Sequence, residues 1–320
     1  METANASIFY SNLTTETIIT SKTLEVIVIS LLLLMMVGAC IFFCLAVTML
    51  YIIFSSLDVH HNPRYILFAF MLISDSLYLM LCFTMYILAM RSQTILMPLC
   101  CAIYTVSSAT FIATQYHLAA MSLECYIAIC FPLRHCVICT PRRAMLVVVT
   151  IWVWSTIPYA VELVVINVTL KDPSNMQVIC FTSRLLVNSV QPVIRLLSFI
   201  LCFTFVGLSI LFSYIKIMSV ALSKNSKTSS ASKAGKTVLI HGVQLFLCIC
   251  SLLSNFTEIG LGKYFQVLTI CSFIIFNYVP RFLSPLIYGV RDADLRRHIR
   301  KHLSLPQKIG FLMDNHVLHR

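Results

Sequence analysis

Seven long apolar runs follow one another along the chain, and short polar or proline-bearing segments separate them. They cover Leu24–Phe54, Tyr65–Ala89, Cys100–Ile129, Ala144–Ile166, Val193–Leu222, Val238–Ile259 and Phe265–Val290. A helix needs about 20 mainly apolar residues to cross the hydrocarbon core of a bilayer. None of the runs alternates apolar and polar residues as a membrane barrel strand does. The pattern therefore predicts an all-α membrane protein built as a bundle of seven transmembrane helices.

The composition supports a membrane protein, since 59% of the 320 residues are hydrophobic and only 11% are charged. Soluble domains carry about 45–50% apolar and about 25% charged residues. A soluble protein of this length would need far more polar surface to cover its core. The net charge of +11 could suggest a nucleic-acid partner, but the positions of the charges argue against one.

The basic residues collect on one side of the predicted bundle. Of the 23 lysines and arginines, most lie in the segments that follow the first, third, fifth and seventh runs. Because basic residues mark cytoplasmic loops, the amino terminus is predicted to be extracellular and the carboxyl terminus cytoplasmic. We expect an extracellular tail over residues 1–23, the bundle over 24–290, and a cytoplasmic amphipathic helix and tail over 291–320. In the outer tail, Asn5 and Asn12 each begin an N-glycosylation sequon.

Four short motifs carry a family resemblance. The segment MSLECYIAICFPLRH, at residues 121–135, resembles the odorant-receptor signature M-A-Y-D-R-Y-V-A-I-C-x-P-L at the end of the third helix. The segments HNPRYILF (61–68), SKAGKTVLIHG (232–242) and SPLIYGVRD (284–292) are similar to family motifs at helices two, six and seven. All four follow the family's order. The chain therefore resembles a class A G-protein-coupled receptor of the odorant branch, and the fish-type odorant receptors most of all.

The resemblance implies an odorant receptor in the plasma membrane. Such a receptor binds a small molecule in the outer half of its bundle and signals through a heterotrimeric G protein, here of the olfactory stimulatory type. It is not an enzyme and needs no cofactor, and its other expected partners are membrane lipids.

Other functions stay open at this point. The chain could be a class A receptor for a non-odorant small ligand, or a membrane transporter, although no internal repeat of the transporter kind is found. His298 and His302 have a spacing that can bind zinc. Their basic surroundings, RDADLRRHIRKH, instead favour a helix lying on anionic lipid, so no metal site is predicted.

The resemblance also places a coupling switch at the cytoplasmic ends of two helices. It implies roles for Glu124, Cys125 and Tyr126 on helix three, and for Pro285 and Tyr288 on helix seven. In the family, the acidic residue holds the resting state, and the arginine that follows it meets the G protein. Here Glu124 keeps the carboxylate, whereas Cys125 replaces the arginine and its planar fork of donors. We therefore expect reduced coupling.

One carboxylate, Asp75, lies in the middle of the second run, where burial costs about 2.5–3.5 kcal/mol. The family register places it at the core aspartate that holds sodium in many class A receptors, and turns Arg281 toward helix two. We predict a buried Asp75–Arg281 ion pair in place of the sodium ion. The alternative is that Arg281 extends into a polar cavity.

The resemblance also implies a disulfide between Cys100 and Cys180, both on the oxidising side where disulfides persist. The neighbouring Cys101 stays open as the true partner of Cys180.

The predicted ligand site centres on one stripe of helix three, which carries Tyr104, Ser107, Ser108 and Phe111 at helical spacing. In the receptor register this stripe faces the outer half of the bundle. The candidates on the facing helices are Phe199, Cys202, Phe203, Leu252, Phe256, Ile274 and Tyr278. Ordinary helix packing is the alternative for each of them. Because Ser107 takes the place of the aspartate that anchors amines, and Glu162 lies far toward the end of its helix, a small, weakly polar ligand is expected.

Overall fold

The computed structural model describes most of the chain between residues 2 and 282. The described residues are 2–55, 62–91, 93–170, 173–180, 185–223, 235–236, 238–240, 242–243, 246, 249, 265–282 and 285. They are mainly helical. In chain order the helices are α1 (Glu2–Ser55), α2 (Pro63–Met90), α3 (Met97–Cys130), α4 (Pro132–Ile138), α5 (Pro141–Thr169), α6 (Val190–Ser223) and α7 (Phe265–Ser272).

Within the described residues, five helices are long and apolar enough to cross a membrane. These spans are Lys22–Ser55, Pro63–Ala89, Met97–Cys130, Pro141–Thr169 and Val190–Val220, and they match the first five predicted runs. Most of the sixth run lies outside the described residues. In the seventh, a shorter apolar helix covers Ile270–Phe282.

The first helix begins at Glu2, well before the predicted start of the span at Leu24. No proline or glycine interrupts the sequence before Gly38, so the backbone has no local signal to end a helix upstream of the apolar run.

Prolines and capping side chains set the starts of the later helices. α2 follows Asn62, whose side chain accepts a hydrogen bond from the Arg64 backbone N–H at 3.1 Å. α5 follows Thr140, which accepts from the Arg143 N–H at 3.4 Å. Proline lies at the start of α2, α3, α4 and α5, where its missing N–H costs nothing. These signals fix the boundaries between successive spans.

The chain forms two compact units. The first combines Met1–Cys44 with Phe246–Phe282, and the second combines Leu45–Leu245 with Leu283–Arg320. In the second unit, α3 is the central helix and packs against α2, α5 and α6. It buries side chains around its whole circumference, as expected for a helix enclosed by others.

In the first unit, Tyr278 packs against α1. Its hydroxyl donates to the Met35 carbonyl at 3.3 Å, and its ring lies 5.0 Å from that of Phe282. This approach needs a glycine on α1, because a Cβ added to Gly38 would lie 2.7 Å from the Tyr278 hydroxyl. The backbone of Phe273–Tyr278 is π-helical.

A small two-stranded sheet was not predicted. The strand β1 (Thr94–Leu96) pairs antiparallel with β2 (Gln177–Ile179), with Ile95 opposite Val178. The strands connect the start of α3 to the segment between α5 and α6. Cys180 directly follows β2, which brings its thiol to the first turn of α3.

Candidate functional site

The predicted disulfide is present. Cys100 and Cys180 are bonded, with Cα atoms 5.4 Å apart, whereas Cys101 is a buried free thiol. The structure thus resolves the alternative that the sequence left open. We call this end of α3 the disulfide end, and the end that carries Glu124 the Glu124 end.

Phenylalanines of the predicted ligand site meet between α3 and α6. The ring of Phe111 lies 6.3 Å from that of Phe199 and 6.5 Å from that of Phe203, both close to edge-to-face. Tyr78 on α2 adds a fourth ring, 5.5 Å from Phe111. These four residues form what we call the aromatic cluster. Cys202, in the same stretch of α6, is fully buried.

The polar members of the α3 stripe are partly used within their own helix. The Ser107 hydroxyl donates to the Tyr104 carbonyl at 3.0 Å and is buried. The Ser108 side chain lies beside the Tyr104 side chain. Ser107 is therefore less suited to bind a ligand than the sequence suggested, whereas Tyr104 and Ser108 form a polar edge near the aromatic cluster.

The remaining predicted ligand residues, Leu252, Phe256, Ile274 and Tyr278, belong to the first compact unit. Leu252 and Phe256 lie outside the described residues. Ile274 is half-buried and Tyr278 is buried. Their role as ligand contacts stays a prediction.

An ion pair that the sequence analysis missed lies at the disulfide end. Arg195 Nε on α6 donates to both Glu162 oxygens on α5, at 3.0 and 2.8 Å, and the Arg195 guanidinium carbon lies 4.6 Å from the centre of the Tyr104 ring. The Tyr104 ring in turn lies 6.1 Å from that of Tyr159. We call Tyr104, Tyr159, Glu162 and Arg195 the Arg195 cluster. The sequence did carry a signal, because opposite charges within two apolar runs each need a partner.

A second ion pair lies at the Glu124 end. The Glu124 carboxylate is only 5% exposed, accepts from Arg64 Nε at 2.9 Å, and lies 2.9 Å from His135 Nε2. Arg64 is the second residue of α2 and His135 lies on α4, so one carboxylate on α3 joins three helices.

The described chain also places three of the other predicted switch residues. Cys125 is buried. The Tyr126 ring packs edge-to-face against Phe131 at 5.8 Å and Phe212 at 5.3 Å. Pro285 is buried, and Tyr288 lies outside the described residues.

The predicted Asp75–Arg281 ion pair stays a prediction. Asp75 is fully buried and accepts a hydrogen bond from the Thr114 hydroxyl at 2.9 Å. Arg281 is 1% exposed, and its Nη1 donates to the Asn277 carbonyl at 2.7 Å. Asp75 belongs to the second compact unit and Arg281 to the first.

Sites for metal and sugar receive no further support. The described residues hold no group of three or more histidine, cysteine or acidic side chains that could bind a metal ion, and His298 and His302 lie outside them. The side chains of Asn5 and Asn12 also lie outside, so their glycosylation stays a prediction.

Comparison with known proteins places these features in a family. Residues 45–288 match the family model described as 7 transmembrane receptor (rhodopsin family). The chain is 34% identical to Odorant receptor 131-2 of Danio rerio over 199 residues, 60% of this chain and 61% of that one. It is 28% identical to Olfactory receptor 1082 of Rattus norvegicus over 211 residues (59% and 61%), and 30% identical to Olfactory receptor 7G2 of Homo sapiens over 205 residues (58% and 59%). The chain thus aligns with less than two thirds of the length of these relatives.

These matches confirm the predicted seven-helix membrane fold and the resemblance to odorant receptors. They also confirm the expectation of a multi-pass plasma-membrane protein. The chain belongs to the rhodopsin family of seven-transmembrane receptors.

Proposed function

We propose that this protein is an odorant receptor that binds a small molecule near the disulfide end and signals through a heterotrimeric G protein. The observation that carries the proposal is the aromatic cluster between α2, α3 and α6, with the polar edge of Tyr104 and Ser108 beside it. Sites for small molecules are mainly apolar, with a few polar groups that fix orientation. Relatives named as odorant and olfactory receptors support the same ligand class.

The proposed orientation puts the disulfide end outside the cell and the Glu124 end in the cytoplasm. Lysine and arginine mark cytoplasmic loops, and disulfides persist on the oxidising side. The proposed extracellular tail over 1–23 then carries sugar at Asn5 and Asn12. The segment 291–320 forms the cytoplasmic helix and tail.

Ligand binding is proposed to favour the state in which helix six moves outward at the cytoplasmic end. A ligand shifts this balance only by its difference in affinity for the two states. The opened end admits the G protein, which we propose is of the olfactory stimulatory type. Glu124, Cys125, Tyr126, Pro285 and Tyr288 form the proposed switch.

The Glu124 carboxylate is held by Arg64 and His135 rather than by an adjacent arginine. This arrangement keeps a restraint on the end of α3 although Cys125 has no guanidinium. It does not replace the contact that arginine makes with the G protein, which is why we propose reduced coupling.

The proposed Asp75–Arg281 pair would remove the need for sodium in the core. An ion pair of this kind predicts that sodium leaves the ligand affinity of the intact receptor unchanged. A sodium-dependent affinity would contradict it.

The test of the function is agonist-driven nucleotide exchange, measured with a panel of small volatile compounds on receptor expressed in membranes. We expect at least one compound to stimulate exchange in the natural chain, and Cys125→Arg to raise the maximal rate several-fold. Cys125→Ala is the matched control, because it removes the thiol without adding a guanidinium and should leave the rate low. If Cys125→Arg gives no gain over Cys125→Ala, reduced coupling is the wrong explanation of this position.

A further inference from the structure

In the Arg195 cluster, both oxygens of the Glu162 carboxylate already accept hydrogen bonds from Arg195. Arg195 Nε donates to both Glu162 oxygens, and Nη2 lies 2.8 Å from one of them. Glu162 is 2% exposed and Arg195 is 11% exposed, so neither charge relies on open solvent. Breaking a buried pair of this kind is costly because it leaves one charge uncompensated. A ligand ammonium would therefore compete poorly for Glu162.

The same cluster also contains buried hydrogen-bond donors that have no acceptor among the described residues. Nη2 of Arg195 lies at ion-pair distance from a Glu162 oxygen, but its N–H groups are not aligned for a hydrogen bond with that oxygen or with another described group. The Tyr159 hydroxyl is likewise buried without a hydrogen-bond partner among the described residues, and the residue is 1% exposed. Leaving a buried donor without an acceptor destabilises the folded protein. Both atoms would gain from an acceptor oxygen.

These donors lie next to the proposed ligand site. The Tyr104 ring, which belongs to the α3 stripe, packs edge-to-face against the Tyr159 ring, and the Arg195 guanidinium lies over the Tyr104 ring. The donors thus border the stripe of α3 that carries Tyr104 and Phe111.

We infer that the Arg195 cluster is the polar anchor of the ligand site, and that it selects small molecules with an uncharged carbonyl oxygen, which accepts from the Tyr159 hydroxyl and Arg195 Nη2. This inference rests on the proposed function and narrows its ligand class. The cluster is neutral overall, since Glu162 balances Arg195, so it has no net charge to offer an anion. An amine would meet a guanidinium and a carboxylate that is already paired. The hydrocarbon part of the ligand packs on the aromatic cluster.

The experiment measures binding rather than signalling, so that weak coupling at Cys125 does not obscure it. Purified receptor is titrated with an aldehyde, a ketone and a methyl ester, with an alkene and an amine of the same chain length as comparators. Binding is followed as ligand-dependent thermal stabilisation, from which an apparent affinity is obtained. The key variant is Tyr159→Phe, which removes only the hydroxyl. Tyr51→Phe, on the exposed face of α1, is the matched control.

We expect the natural chain to bind the carbonyl compounds more tightly than the alkene, and the amine least. Tyr159→Phe should weaken binding of the carbonyl compounds about three- to tenfold, the value of one neutral hydrogen bond, while alkene binding and the Tyr51→Phe control stay unchanged. Arg195→Lys keeps a charge for Glu162 but loses the planar fork. Arg195→Lys should therefore also weaken binding of the carbonyl compounds but not of the alkene. This variant replaces Tyr159→Phe in the test if Tyr159→Phe does not fold.

Two results would overturn the inference. One is an absence of preference for carbonyl compounds in the natural chain. The other is an equal loss for carbonyl compound and alkene in Tyr159→Phe, which would make the hydroxyl structural. Either can occur while the alkene or amine binds and stimulates nucleotide exchange, in which case the proposed receptor function stands. If no compound of any class binds or stimulates exchange, the proposed function fails as well.

Discussion

At the scale of single residues, two buried carboxylates show how this membrane protein accommodates charge. Glu124 near one end of the helices meets Arg64 and His135, and Glu162 near the other end meets Arg195. Each carboxylate is joined to a cation from a different helix. The cost of moving a charge out of water is thus offset by hydrogen bonds that also fix helix against helix.

The partners in these ion pairs could not be predicted from the sequence. The sequence identified Glu124 as a functional carboxylate through its motif, but not its partners, since Arg64 and His135 are brought to it only by the packing of α2 and α4 on α3. Glu162 and Arg195 each stand out as a charge within an apolar run. Nothing local in the sequence states that the two face each other.

Another residue-scale feature, the contact between Gly38 and Tyr278, gives a direct prediction. Gly38→Ala should destabilise the receptor by about 1–3 kcal/mol, because the new Cβ would lie 2.7 Å from the Tyr278 hydroxyl and overpack the site. Thermal unfolding of purified receptor in detergent measures it. Gly242→Ala is the matched control: its Cβ would meet Ile210 at 3.8 Å, and alanine favours a helix by up to about 1 kcal/mol. Equal stability of the two variants would contradict this account.

At the scale of secondary-structure elements, the spans were predictable and the connections between them were not. Apolar runs of bilayer length must form helices, because lipid leaves the backbone no other hydrogen-bond partner. Prolines and capping residues such as Asn62 and Thr140 then set where each helix begins. The strands β1 and β2 are three residues each, too short to show an alternating pattern, and α4 is a single short helix between two spans. Their formation depends on contacts distant in sequence.

The disulfide is the element-scale feature with the clearest energetic consequence. Cys100→Ser should destabilise the receptor by about 2–5 kcal/mol, since the bond closes a loop with a sequence separation of 80 residues. The expected result is a marked fall in correctly folded receptor at the cell surface, measured by antibody binding. Cys101→Ser, one position away and also buried, should cost much less.

A double variant completes this test. Cys100→Ser combined with Cys180→Ser should be no less stable than either alone, because both changes break the same bond. A loss for Cys101→Ser as large as that for Cys100→Ser would mean that buried polarity, rather than the lost bond, explains the effect.

At the scale of the whole molecule, the asymmetric distribution of basic residues predicts the topology. An epitope tag at the amino terminus should bind antibody on intact cells, and a tag at the carboxyl terminus only after permeabilisation, because basic segments stay in the cytoplasm. Asn5→Gln and Asn12→Gln should remove sugar and serve as an independent measure of the same orientation. Antibody binding to the carboxyl-terminal tag on intact cells would reverse the proposed directions of the ligand and coupling ends.

The π-helical segment Phe273–Tyr278 affects how this chain can be compared with other receptors. A π turn holds one more residue than an α turn, and each residue of an α-helix rotates the chain by about 100°. Positions assigned by counting backward from Pro285 along an ideal helical wheel will therefore be rotated by more than a quarter of a circle once the count passes Phe273. Homology-based docking that ignores this offset would aim the residues upstream of Phe273 at the wrong face.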